Sequence, residues 1–103
     1  MNTRRIYVKC MLFPGSFSGE VVFSIEGIEP EKYDGIAPRR SCATVNNFPV
    51  DVIPASGIEG KVVAVLVANG GQIARVALPD GEAIKVNVNM ISEREMEIAD
   101  VSV

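Results

Sequence analysis

The chain contains no histidine. That absence removes Ser-His-Asp and Cys-His catalysis, imidazole metal ligation and the usual side chain for proton transfer near neutral pH. Cysteine is scarce: only Cys10 and Cys42 occur, far apart in sequence. Two cysteines without histidine do not complete a common structural zinc site within one chain, and they are too few for a disulfide framework. Buried apolar thiols are expected, with a single disulfide as the alternative if the chain is exported. Cys42 has arginine neighbours that could lower its pKa but no base to partner it as a nucleophile.

Tryptophan is also absent, and the aromatics amount to four Phe and two Tyr. The core must therefore come mainly from Val and Ile, which pack well on a pleated surface and favour sheet. No apolar stretch exceeds Val62 to Ala68, well short of the roughly 20 residues of a membrane-spanning helix. No carboxylates fall in an EF-hand spacing. No glycine-rich phosphate loop is present either, because Asn69-Gly70-Gly71 lacks a downstream Lys-Ser/Thr and leads into strand pattern.

Positive charge is in deficit, with ten Lys and Arg against thirteen Asp and Glu and a net charge of −3. A general nucleic-acid binder needs a basic face, so this balance disfavours such a partner and leaves room only for a local patch. Arg4 and Arg5 precede Ile6, Tyr7 and Val8 in faint imitation of a signal peptide. Lys9 interrupts the apolar run, however, and no small-residue cleavage site follows. The expected location is cytoplasmic.

What is present points to one globular all-β domain spanning residues 1–103, since 48% of residues are hydrophobic and 22% charged. Arg5 to Phe13 alternates, with Ile6, Val8, Cys10 and Leu12 on one face, the mark of a strand. Pro14 and Gly15 end it. Glu20 to Ile25 is the second strand of a hairpin, with Val21, Phe23 and Ile25 inward. Residues 27–42 contain Gly27, Pro30, Gly35 and Pro38 and read as a long ordered loop, with one helical turn at Pro30-Glu31-Lys32. Ala43 to Ile53 is expected to be extended but broken at Pro49, as an edge strand or two short pieces.

From Lys61 onward the pattern is a three-strand meander. Lys61 to Ala68 and Gln72 to Leu78 flank the Asn69-Gly70-Gly71 turn, and Pro79-Asp80-Gly81 leads to Ala83 to Ile91. In that last strand Ile84, Val86, Val88 and Met90 are expected to point inward. Ser92 and Glu95 fit a capping box, giving a short helical turn before a closing strand near Met96 to Val103. Closing about six strands into a small barrel would cover the apolar face and manage the edges. In pattern alone, over roughly residues 57–91, the meander resembles small SH3-like or OB-like barrels. It carries no family motif, so no function follows from the resemblance.

The segment Tyr33 to Cys42 supplies the candidate ligand-binding residues Tyr33, Arg39 and Arg40, an aromatic face beside two guanidinium forks. The plainer alternative is that the arginines pair with nearby acids while Tyr33 plugs the barrel end. The carboxylate groups Glu26, Glu29, Glu31 and Glu93, Glu95, Glu97 read as solvated surface. No catalytic residue, metal or cofactor is expected. The leading functional expectation is a non-enzymatic binding or assembly module, self-associating or joining a protein partner by strand addition at an edge near Ala43 to Pro49. A second is a small-barrel nucleic-acid binder in which Arg4, Arg5, Lys9, Arg39 and Arg40 converge beside Tyr7 or Tyr33. A third is an enzyme subunit using carboxylates at a shared interface.

Overall fold

The computed structural model describes residues 4–93. They form an all-β fold: one strongly curled half-barrel sheet, with 3-10 turns as its only helical elements. Strand β1 (Arg4–Pro14) pairs antiparallel with β2 (Glu20–Glu26) on one edge and with the long β5 (Ile58–Asn69) on the other. β3 (Lys32–Pro38) continues the sheet beyond β2. β6 (Ile73–Ala77) and β7 (Ala83–Asn87) complete the meander after β5, giving the order β3-β2-β1-β5-β6-β7. Two three-residue strands lie off this path. β4 (Cys42–Thr44) pairs with β5, and β8 (Ile91–Glu93) returns to β1.

Burial follows the period-two pattern. Ile6, Val8, Leu12, Val21, Phe23, Ile25, Val62, Val76 and Val86 are essentially inaccessible and form the floor of the curl. A second tie draws the far ends of the sheet together. In the β2–β3 turn, the Ile28 N–H donates to the Lys85 carbonyl at 2.8 Å, and Lys85 Nζ meets Glu29 at 3.2 Å. None of the helices among the described residues is long and apolar enough to cross a membrane.

The segment expected as a loop over residues 27–42 is corrected: it contains β3, a 3-10 turn at Arg39–Ser41 and the start of β4. Gly35 did not break the strand because it stands opposite Phe23, and an added Cβ there would lie 2.5 Å from the Phe23 ring. The aromatic fills the space that glycine leaves. Pro38 is tolerated for a different reason. The Arg39 N–H donates to the Gly19 carbonyl and the Gly27 N–H to that of Glu31, so odd-numbered residues of β3 exchange bonds with β2. Pro38 therefore lacks an N–H only on the outer edge, where no ladder bond is lost. The expected helical turn at Pro30-Glu31-Lys32 is instead a non-helical bend with a cis Glu29–Pro30 bond.

Two further corrections concern continuity. The strand expected from Ala83 to Ile91 ends at Asn87; Val88–Met90 is a 3-10 turn whose Val88 N–H donates to the Gln72 carbonyl. This break redirects the chain so that Ile91–Glu93 lies along β1. The stretch from Ala43 to Pro49 is not an open edge. It folds back on itself in a tight turn, with Thr44 N–H bonded to the Phe48 carbonyl, Asn47 at φ 69° and Ala43 bridged to Pro49. Ser92 lies in β8, so it does not begin a helix. Glu95, Glu97 and the closing strand expected near Met96 to Val103 fall outside the described residues.

Candidate functional site

The three candidate residues do not form one site. Tyr33 lies on the inner side of β3, half-buried, with its ring 6.1 Å from that of Phe23. Its hydroxyl donates to Asp80 in the β6–β7 turn, bridging the edge strand to the far side of the curl. This matches a plug at the barrel end. Partial burial, followed by the hydrogen bond to Asp80 and the charges of Asp80 and Glu82, pushes the phenol up to about 12. The folded state favours the neutral phenol, so this stabilisation is complete below the ordinary value of 10 and is lost as pH climbs toward about 12. Tyr33→Phe should cost about 0.5–1 kcal/mol near neutral pH. It should also flatten part of the alkaline decline. Urea melts of both proteins between pH 7 and 12 check this; parallel pH curves would show that the Tyr33–Asp80 bond contributes nothing.

Arg39 is a structural clip. Its Nε donates to the Ser18 carbonyl at 2.9 Å and a terminal nitrogen donates to the Asp51 carbonyl, joining the β1–β2 loop to the segment after Pro49. It pairs with backbone oxygens and with no carboxylate of the described residues. Arg40, one residue on, is exposed and makes no ion pair with the described residues.

Both arginines border a groove of about 560 Å³ on the outer face of the sheet, together with Tyr7, Ala43, Asn47 and Phe48. The wall is the Thr44–Pro49 turn, which holds Phe48 66% exposed. Beside the groove, the same face carries positive charge that only strand register reveals. Lys9 on β1 stands directly opposite Lys61 on β5, with Arg5 on the same face. Lys61 is half-buried, donates to Asn47 Oδ1 at 2.7 Å, and sits 5.4 Å from the Tyr7 ring centre. Its partners are thus a neutral amide and an aromatic face. Arg4, expected with this group, is taken up by Glu93 instead.

The thiols offer no chemistry here. Burial raises Cys42 to about 11 against a smaller lowering by Arg39, and burial raises Cys10 further, reinforced by Cys42. Both remain protonated near neutral pH. Among the described residues no group of three or more Cys, Asp or Glu could hold a metal ion. Of the surface carboxylates, Glu29 pairs with Lys85 and Glu93 with Arg4.

A second surface feature lies at β3. Since its odd-numbered residues bond to β2, the N–H and C=O groups of Lys32, Asp34 and Ile36 point away from the sheet. Beside this edge a shallow apolar depression of about 370 Å³ is lined by Phe17, Ile36, Ala37 and Pro38. Phe17 is 74% and Ile36 50% exposed. The alternation of Lys32, Asp34 and Ile36 against Tyr33, Gly35 and Ala37 was a visible strand signal, masked by its glycine and proline. Phe48 and Lys61 carried no sequence signal of a shared site. No protein-family model, curated protein or solved structure matches the chain.

Proposed function

We propose that this protein is a non-enzymatic assembly module that works by strand addition at β3, and that its partner is a second copy of the chain. The observation that carries this reading is the row of outward-pointing backbone groups on Lys32, Asp34 and Ile36. Such an edge templates another strand, with main-chain bonds giving affinity and side chains giving specificity.

The charged side chains favour one antiparallel register. Pairing centred on Lys32 or on Asp34 sets like charges against each other. Pairing centred on Gly35 or on Ile36 leaves Asp34 facing Ile36 or Pro38 of the other copy, with no opposite charge across from it. Pairing centred on Tyr33 places each Lys32 opposite the other copy's Asp34. Opposite charges facing across strands stabilise the pair, and like charges oppose it. The charges that discourage indiscriminate pairing therefore select this one. We place the module in the cytoplasm, in keeping with the free thiols of Cys10 and Cys42.

Sedimentation velocity over a concentration series tests the reading. The wild type should show a reversible dimer. Lys32→Asp and Asp34→Lys should each be monomeric, and the two together should restore the dimer. Ile36→Pro removes an outward N–H without touching the bonds to β2, and should weaken pairing. A wild type that stays monomeric at millimolar concentration, or a dimer indifferent to Ile36→Pro, would overturn the proposal.

A further inference from the structure

We infer that the outer-face groove is a binding site for single-stranded nucleic acid, distinct from the β3 edge and independent of it. The case rests on charge placement. Lys9 and Lys61 face each other on neighbouring strands, an unfavourable arrangement that an anion over the pair would relieve. Neither forms an ion pair with a described residue, although Glu59 stands one row along the same face, opposite Met11. Lys61 is already partly withdrawn from water, and its protein partners are an amide oxygen and the Tyr7 ring. One phosphate bridging the two ammonium groups would relieve their mutual repulsion, although its single negative charge balances only one of them. Arg40, exposed on the groove rim, supplies a fork for the next phosphate.

The aromatic component distinguishes nucleic acid from other polyanions. Phe48 is held on the groove wall by a turn that Thr44 closes twice, by its N–H to the Phe48 carbonyl and by its hydroxyl oxygen accepting the Phe48 N–H at 3.0 Å. Its ring is 66% exposed although it borders a concave site. A base stacked on that ring, with its phosphates over Lys9, Lys61 and Arg40, matches the pairing of basic track and aromatic platform found in single-strand binders. The net charge of −3 sets the long-range field but not this local face. Tyr7 is buried beneath Lys61 and Tyr33 bonds to Asp80, so neither serves as the platform.

The test is fluorescence anisotropy with a labelled, mixed-sequence single-stranded oligonucleotide of about ten nucleotides, within the usual site size for such folds. Two phosphate contacts, one over the lysine pair and one at Arg40, predict that log K falls against log salt with a slope of about −1.4. Lys9→Glu and Arg40→Ala should each weaken binding about tenfold or more at low salt and flatten that slope. Phe48→Ala should weaken it about tenfold while leaving the slope unchanged. Polyglutamate of equal charge should compete poorly. No binding at low salt, binding that survives Lys9→Glu and Arg40→Ala, or polyglutamate competing as well as the oligonucleotide would each overturn the assignment. Lys32→Asp should not alter oligonucleotide affinity, which separates this site from the dimer edge.

Discussion

Phe23→Ala should lower stability by about 3–5 kcal/mol, the usual cost of deleting a fully buried aromatic ring. Phe23 is inaccessible to solvent and the largest of the fully buried side chains. Its ring serves two purposes at once. It fills the floor of the curl, and it covers Gly35, which has no side chain of its own on the edge strand. The aromatic contact with Tyr33 adds to this, and Tyr33 in turn ties β3 to the β6–β7 turn through Asp80. For a domain of this size, the loss corresponds to a melting-temperature drop of roughly 12 °C at the least. Thermal melts followed by far-UV circular dichroism measure it. Because the alanine variant could fail to fold, Phe23→Leu provides a second reading, with a cost of about 1–2 kcal/mol. Combining Phe23→Ala with Tyr33→Ala should cost less than the sum of the two, since each loses a contact that the other has already removed. Full additivity, or an alanine variant within about 0.5 kcal/mol of wild type, would show that the edge strand is not anchored through this ring.

The same edge strand shows where sequence reasoning stopped. Arg5 to Phe13 was legible because its alternation is uninterrupted, and the structure places Ile6, Val8, Cys10 and Leu12 inside as that pattern requires. The meander was legible because Asn69-Gly70-Gly71 and Pro79-Asp80-Gly81 are strong local turn signals; Gly71 and Gly81 do adopt positive φ. β3 has a similar alternation, but Gly35 and Pro38 are breakers when read locally. They are harmless only because Phe23 lies opposite one and no bond to β2 is lost at the other. Those are cross-strand facts. The end of β7 at Asn87 was hidden for the converse reason. Val88 and Met90 continue the apolar alternation, yet β8 can reach β1 only if the chain turns there.

The candidate site divides along the same line. Arg39 and Arg40 were singled out as adjacent forks, and both border the outer groove. Their adjacency concealed that one is spent on the Ser18 and Asp51 carbonyls while the other is exposed. Tyr33 sits within the same stretch of chain but does not line that groove. Six residues of extended chain, roughly 20 Å, separate it from Arg39. Lys9 and Lys61 show the reverse: 52 positions separate them in sequence, yet they are directly opposed in register. Charge clusters of that kind become visible only once strand pairing is known.

Gly60→Ala should destabilise the protein by about 1–3 kcal/mol, although glycine-to-alanine changes in extended chain often help by reducing the freedom of the unfolded state. Gly60 is buried where β5 is clasped by β1 on one side, opposite Cys10, and by β4 on the other, opposite Thr44. An added Cβ would stand 2.7 Å from the Ala43 carbonyl oxygen and 2.5 Å from Leu12 Cδ1. A leucine methyl can sometimes rotate away, but Leu12 is fully buried, so its side chain moves only within the packed core. The carbonyl belongs to the β4 backbone and moves only if β4 moves. Ala43 faces Lys61 across that pairing, so a displaced β4 also shifts the wall of the groove against the adjacent lysines. Oligonucleotide affinity should therefore fall in Gly60→Ala at temperatures where the variant remains folded. Gly19→Ala is the matched control, because nothing lies within 4 Å of its added Cβ; its effect should stay within about 0.5 kcal/mol. Chemical denaturation of the two variants side by side gives the answer. Equal stabilities would mean that β4 is not seated against β5, and would remove the rigid wall on which the groove depends.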